Sequence, residues 1–241
     1  MNMLITGGAS GLGEAITRKL LSDGAHRVWF TYARSGDRAK ELEALSPDAR
    51  AVAVRCDFSA AGDLERLAAL IGEIDIDVLI NNASTGYTQD HFHKLKQDLF
   101  EESFRMNVLP VLRVTQQAIR VFRKKQFGKI ITVLTAALIN RPPVGWSEYV
   151  ANKAYLASMS RSWAAENARF NITANCVSPS LMRTGLTGGI DERVMEELEA
   201  GHPLGRLLTT GEVADVVCFL VGATQQINGV TIPVNAGSDI L

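Results

Sequence analysis

Short aliphatic runs alternate with longer amphipathic stretches along the chain. The runs occupy residues 3–6, 28–32, 51–56, 78–80, 129–134, 172–177 and 230–234. Most are β-branched or aliphatic and lack a clean period of two. Strands covered by helices on both faces of a parallel sheet read this way. Between them, apolar residues recur at helical spacing near 11–23, 36–46, 60–72, 97–125, 147–168 and 211–221. This alternation predicts an α/β fold: a doubly wound, mostly parallel seven-stranded sheet with helices on both faces and right-handed crossovers. No linker-like shift in composition divides the chain, so a single domain over 1–241 is expected. Residues 180–210 break the rhythm. They are rich in Gly, Pro and Thr, with a short charged helical pattern at 191–200. A lid over a site and an ordinary surface excursion are both open readings.

The first predicted strand runs into Gly7-Gly8-Ala9-Ser10-Gly11-Leu12-Gly13, and a helix follows. Glycines at this spacing permit a tight turn and let the backbone approach a pyrophosphate. The helix start offers free N–H groups and the positive end of its dipole. Gly13 is expected to let the helix pack closely on the strand. By itself the turn is also readable as a plain strand-to-helix connection.

Composition narrows the classes. The chain has 241 residues, 46% hydrophobic and 21% charged, which suits a soluble globular domain with its own core. Its formal net charge is −1, so neither nucleic acid nor an anionic membrane is an expected partner. Cys56, Cys176 and Cys218 are widely spaced, without metal-ligand or redox spacing, and read as core residues in a reducing, cytoplasmic setting. The start, Met1 to Thr6, lacks the basic and apolar regions of a signal peptide, and no run of about 18 apolar residues marks a membrane span.

Several motifs converge in order. Thr6–Gly13 is followed by Asn81-Asn82-Ala83-Ser84, then Tyr149-Val150-Ala151-Asn152-Lys153. Asn175-Cys176-Val177-Ser178-Pro179-Ser180 comes next, with Thr184 beyond, and Ile227-Asn228-Gly229 near the end. Together they resemble the short-chain dehydrogenase/reductase family over essentially the whole chain. Gly128 to Thr132 and His202 to Arg206 resemble its 3-oxoacyl-(acyl carrier protein) reductase-like members. The resemblance implies a Rossmann-type fold and hydride transfer between a nicotinamide and a ketone or secondary alcohol. The substrate is then a small carbonyl or alcohol compound, with 3-oxoacyl thioesters on acyl carrier protein or coenzyme A as one class. It also implies a homotetramer or homodimer built on the long helices at 97–125 and 147–168.

Tyr149 and Lys153 stand four apart, on one face of a helix. A free phenol has a pKa near 10, and a neighbouring ammonium lowers it. By resemblance, Tyr149 is the proton donor and Lys153 binds the cofactor ribose. The family's serine commonly stands thirteen residues before the tyrosine, which here is Ala136. Alignment on Gly128 instead places Thr135 there, fourteen residues before Tyr149, so Thr135 is expected to replace it. Asn107 matches an asparagine that holds a proton-relay water, and buried backbone groups are its alternative partners. The implied cofactor contacts are Gly7, Ser10, Gly11, Leu12, Gly13, Arg34, Ser35, Asp57, Phe58, Asn81, Ala83, Tyr149, Lys153, Pro179, Ser180, Met182 and Thr184. The second predicted strand ends without an acid before Asp37, and Arg34 and Ser35 follow it. That favours NADP(H) over NAD(H), because a guanidinium binds a 2′-phosphate, although the resemblance also implies a basic residue where Ser10 stands and a solvated loop charge is the alternative for Arg34. Asp57 resembles the acid that contacts the adenine, with a capping role as the alternative.

Ser84 and Ser180 replace usual glycines and are expected beside the cofactor, where they either crowd it or cause small adjustments. These departures keep a second reading open: a catalytically weak or inactive nucleotide-binding regulatory or scaffold protein on the same fold. Arg123-Lys124-Lys125 ends a predicted helix, where cations complement the dipole. By resemblance, this patch and Arg169 attract an acidic carrier. His91 and His93 have no companion ligand in the sequence and read as surface loop. Tyr87, the 138–146 loop and Met182 are candidates for the pocket wall.

Overall fold

In the computed structural model the described residues are 1–46, 48–139 and 141–238, without the side chains of Ala61 and Leu186. In chain order the elements are β1 (Asn2–Ile5), α1 (Gly11–Ser22), β2 (Arg27–Tyr32), α2 (Gly36–Ala44), β3 (Ala51–Arg55), α3 (Ala61–Glu73) and β4 (Val78–Asn81). Then follow α4 (Gln97–Asn107), α5 (Leu109–Lys125), β5 (Gly128–Val133), α6 (Ser147–Asn167), β6 (Ile172–Pro179), α7 (Glu192–Ala200), α8 (Thr210–Gly222) and β7 (Thr231–Val234). The strands form one sheet in the order β3-β2-β1-β4-β5-β6-β7. Among the described residues every pairing is parallel, where the sequence predicts only a mostly parallel sheet.

Successive side chains of a strand point to opposite faces, and the core divides accordingly. Met3, Ile5, Val28, Phe30, Val78, Ile80, Ile131 and Val133 join residues of α1, α2 and α8 on one face. Leu4, Trp29, Leu79, Ile130, Ala174 and Cys176 join those of α3, α5 and α6 on the other. Both faces are apolar, which is why the strands show no clean alternation in the sequence.

One prediction needs correction. Residues 97–125 are two helices, broken at Val108 (φ −111°, ψ −56°). Pro110 stands in the first turn of α5. It has no N–H for the carbonyl four residues back, and its ring would clash with that carbonyl. A proline suits a first turn, so the break falls just before it.

From β1 the chain winds outward to β2 and β3, then crosses back to place β4 on the other side of β1. Connections leave the ends of β1 and β4 in opposite directions, which opens a crevice at the carboxyl ends of the strands. The glycine turn, Ala83, Thr135 and Ser180 all follow the ends of these inner strands.

Candidate active site

The glycine turn is built from backbone. Gly7 (φ +66°) and Gly11 (φ +52°) adopt a conformation that L side chains avoid. A Cβ on Gly13 would stand 2.0 Å from the Gly7 carbonyl oxygen, so only glycine lets α1 start this close to the turn. Thr31 Oγ1 accepts the Gly7 N–H at 2.9 Å, and Thr17 donates to the Gly8 and Gly13 carbonyls. Asn82 Nδ2 donates to the carbonyls of Thr6 (3.0 Å) and Gly7 (3.1 Å), while Thr6 Oγ1 accepts the N–H groups of Asn82 and Ala83. Thr6 and Asn82 thus latch the ends of β1 and β4 together, a structural role not assigned from the sequence. Ser10, before α1, makes no capping bond with its side chain. This cradle fits a dinucleotide pyrophosphate: side chains are excluded from the turn, and the helix start faces the crevice with its dipole.

Tyr149 and Lys153 lie in the first two turns of α6. The Lys153 ammonium is buried, donates to the Val133 carbonyl at 2.9 Å and stands 5.8 Å from the centroid of the Tyr149 ring. Burial lowers its pKa to about 8. Burial pushes the Tyr149 phenol the other way, up to about 12, and a hydrogen bond to the Thr135 side chain partly offsets this. Thr135 follows the end of β5, is 7% exposed, and caps a short 3-10 turn through the Ala137 N–H at 3.2 Å. Thr135, Tyr149 and Lys153 are therefore brought together. Two more aromatic rings complete the wall: Tyr87 lies 5.2 Å from Tyr149 and 4.6 Å from Trp146.

Asn107 ends α4 at the helix break. Its Oδ1 accepts Thr85 N–H (2.8 Å), Thr85 Oγ1 (3.0 Å) and Ser84 Oγ (3.2 Å), and its Nδ2 donates to the Ser103 carbonyl (3.1 Å). Among the described residues no hydrogen bond joins it directly to Lys153. Ser84 accordingly turns its hydroxyl to Asn107 and the Thr85 carbonyl. Glu148, Asn152 and Ser103 form a buried polar cluster beside these groups, which sequence reasoning missed. The spacing of Glu148 and Asn152 repeats that of Tyr149 and Lys153 one residue earlier. Their partner on α4 is too distant in sequence to be read.

The remaining candidates surround the crevice. Arg34 is exposed past β2 and forms no ion pair among the described residues, and Ser35 precedes α2 with no side-chain cap bond. Asp57 accepts the N–H and hydroxyl of Ser59, which hold its carboxyl below the usual range. It caps that turn, while Ala60 precedes α3. Phe58 packs against the core, and Asn81 turns its Nδ2 to Thr115 Oγ1 at 3.0 Å, so the Asn81 side chain points away from the crevice. Leu12 is buried under the turn. Past Pro179 in β6, Ser180 N–H bonds to the Val234 carbonyl at 2.9 Å, and its buried hydroxyl lacks a partner among the described residues. Met182 bridges to Leu208, and Thr184 reaches back over the glycine turn, 3.7 Å from where a Gly11 Cβ would stand.

The family model described as enoyl-(acyl carrier protein) reductase matches residues 7–239. The chain belongs to the short-chain dehydrogenase/reductase family. The 3-oxoacyl-(acyl-carrier-protein) reductase MabA of Mycobacterium tuberculosis is 32% identical over 241 residues, which cover 98% of this chain and 92% of that protein. The 3-oxoacyl-(acyl-carrier-protein) reductase FabG of Thermotoga maritima is 31% identical, over 97% of this chain and 96% of that one. A solved short-chain dehydrogenase/reductase family protein superposes with a TM-score of 0.86 at 30% identity, covering 100% of this chain and 98% of its own. Actinorhodin polyketide ketoreductase, solved with NADPH, shares the fold with a TM-score of 0.87 at 24% identity, covering 100% of this chain and 97% of its own. As a short-chain dehydrogenase/reductase, this protein is an NAD(P)-dependent oxidoreductase acting on C=O and CH–OH groups. No helix among the described residues is long and apolar enough to cross a membrane.

Proposed function

We propose that this short-chain dehydrogenase/reductase is an NADP(H)-dependent ketone reductase whose substrate class is 3-oxoacyl thioesters carried on acyl carrier protein or coenzyme A. The observation that carries this reading is the Tyr149 phenol beside a buried Lys153, whose ammonium stands 5.8 Å from the ring centroid and donates to the Val133 carbonyl. When bound, a nicotinamide cofactor would supply the hydride that the carbonyl carbon takes up. Thr135 donates to the carbonyl oxygen and orients it. Tyr149, with a pKa near 12, keeps its proton until that oxygen becomes an alkoxide. An alkoxide is a far stronger base than the phenolate, so the proton then moves downhill. The Lys153 ammonium stabilises the phenolate left behind. In oxidation the same phenolate takes the proton back.

Gly7, Ser10, Gly11, Gly13 and Ala83 would hold the pyrophosphate and ribose with backbone groups, and Ser180, Met182 and Thr184 would meet the nicotinamide. Arg34, exposed past β2 and with no ion pair among the described residues, supports preference for NADP(H) through a 2′-phosphate. Arg123 and Arg169 stand over the Phe170 ring, 4.6 and 4.7 Å from its centroid, which makes one basic patch from two helix ends. That patch supports docking of an acidic carrier, in line with the acyl carrier protein named for MabA and FabG. Residues 180–210 are read as a lid, since Thr184 already overhangs the glycine turn. A reducing, cytoplasmic setting belongs to the same reading and rests on three unpaired cysteines.

The test is a titration with NADPH and with NADH, followed by turnover of 3-oxoacyl and enoyl thioesters. Tighter binding of NADPH, lost in Arg34→Ala, and reduction of the 3-oxoacyl substrate alone are expected. Tyr149→Phe should keep NADPH binding and lose about 10²- to 10⁴-fold in turnover. Full turnover in that variant overturns the mechanism.

A further inference from the structure

Glu148 is a carboxylate 3% exposed, one residue before Tyr149. Its Oε1 accepts the Thr88 N–H at 3.2 Å. Its Oε2 accepts the Ser103 hydroxyl in a short hydrogen bond and Asn152 Nδ2 at 3.5 Å. Ser103 Oγ in turn accepts Asn152 Nδ2 (2.8 Å) and Asn107 Nδ2 (3.4 Å). No Lys or Arg pairs with Glu148 among the described residues. A buried carboxylate held only by neutral donors is costly, and a well-packed apolar residue would be cheaper. Its contacts show what this site gains. They tie together three segments at one atom group: α4 through Ser103, the head of α6, and the loop after β4 through Thr88, alongside the Asn152–Ser103 and Asn107–Thr85 bonds.

We propose that Glu148 is a positioning residue for Tyr149, its carboxylate locking the roll of the first turn of α6 against α4 and the 84–88 loop. The inference rests on the reading of Tyr149 as the proton donor. Its physical basis is leverage. A roll of about 10° moves an atom roughly 8 Å from a helix axis by about 1.4 Å. A displacement of about 1 Å at the reacting group can cost on the order of 100-fold in rate. The same carboxylate fixes the loop that presents Tyr87 to the Tyr149 ring, because Thr88 follows Tyr87 directly. Ser84 and Thr85 are fastened to the same cluster through Asn107, so the first wall of the crevice and the proton donor move as one unit.

The cluster also has an electrostatic signature. Tyr149 faces Thr135 from the end of β5, Tyr87 from the loop after β4, and Trp146, Glu148 and Lys153 from its own helix and the residue before it. The negative charge of Glu148 disfavours the phenolate and so raises the Tyr149 pKa, as does Tyr87. Reduction needs the protonated phenol, so a second, upper loss of activity follows as pH rises through that pKa, above the pH near 8 at which Lys153 loses its proton. Removing the charge should therefore move the alkaline limb of the kcat profile to lower pH, by less than about one unit.

The experiment compares Glu148→Gln, Ser103→Ala and Tyr149→Phe with wild type, using NADPH and the best ketone substrate. Glu148→Gln places an amide N–H against donors and removes the charge. Ser103→Ala keeps the charge and removes the links of Glu148 and Asn152 to α4, together with one acceptor for Asn107. Both should lower kcat by about 10- to 100-fold while NADPH affinity stays within about twofold, and only Glu148→Gln should shift the alkaline limb. Wild-type kcat and pH profile in Glu148→Gln, with Tyr149→Phe inactive, overturn this inference and leave the functional reading standing. A loss of kcat that merely follows falling Tm and NADPH affinity, with no shift of the limb, assigns Glu148 a structural role and also overturns it. Activity in Tyr149→Phe removes the functional reading itself.

Discussion

At the scale of single residues, burial decides the chemistry of the pair at 149 and 153. Their spacing shows only that they share a helix face. Placed under the crevice, Lys153 becomes easier to deprotonate and Tyr149 harder. Lys153 also leaves a thermodynamic trace. Its folded pKa, about 8, lies below the unfolded value near 10.5, so between them the unfolded chain binds more protons. The cost of burying the ammonium is therefore complete below pH 8 and is relieved as pH rises toward about 10.5. Lys153→Met should be inactive yet more stable than wild type at neutral pH. The gain is at most about 3 kcal/mol, less what the lost bond to Val133 contributed. Denaturant melts across pH check this: the advantage should close above pH 8, and an advantage independent of pH refutes the account. The choice between Thr135 and Ala136 belongs to this scale too. Counting back from Tyr149 selects Ala136, while the end of β5 selects Thr135. The side chain that acts on the Tyr149 phenol is that of Thr135, past the end of β5.

At the scale of elements, the glycines divide into two kinds. In the turn before α1 they are required by space: a Cβ on Gly13 meets the Gly7 carbonyl at 2.0 Å. Gly72, inside α3, meets only the end of the Gln117 side chain at 3.3 Å, and that chain can move aside. Gly13→Ala should thus lower Tm sharply and abolish NADPH binding. Gly72→Ala should stabilise by about 0.5–1 kcal/mol through helix propensity and leave binding unchanged. Equal effects of the two substitutions, in Tm and in cofactor titration, refute the assignment. The break between α4 and α5 was legible at Pro110, but an amphipathic pattern that continues across it concealed it. The break allows Asn107 to turn its amide to the loop after β4 while α5 packs on the sheet.

At the scale of the whole molecule, some large apolar side chains stay exposed on the long helices and beside the sheet edge. Leu109 and Tyr155 lie on α5 and α6, and Phe219 (55% exposed) and Val230 lie on α8 and just before the edge strand β7. The family resemblance implies a homotetramer or homodimer built on the long helices, which would bury Leu109 and Tyr155; we propose that a tetramer would use the α8 and β7 side as its second face. Light scattering should give four chains for wild type, and Phe219→Lys with Tyr155→Lys should give a smaller particle with the same α/β circular dichroism. A wild-type monomer refutes that assembly.

The sequence by itself determined the alternation of strands and helices, the glycine turn and the Tyr149–Lys153 pair. Each depends on residues near one another in the chain: the burial of a short run, the absence of a side chain in a turn, a four-residue step on a helix. Only the tertiary structure decided which face each helix covers, that Thr135 meets Tyr149, and that Ser103, Glu148, Asn152 and Thr88 form one buried cluster. Hydrogen bonds between residues 45 or more apart leave no periodic trace. They exist because β4, α4 and α6 converge at one end of the sheet, where neutral donors from three segments surround a single carboxylate.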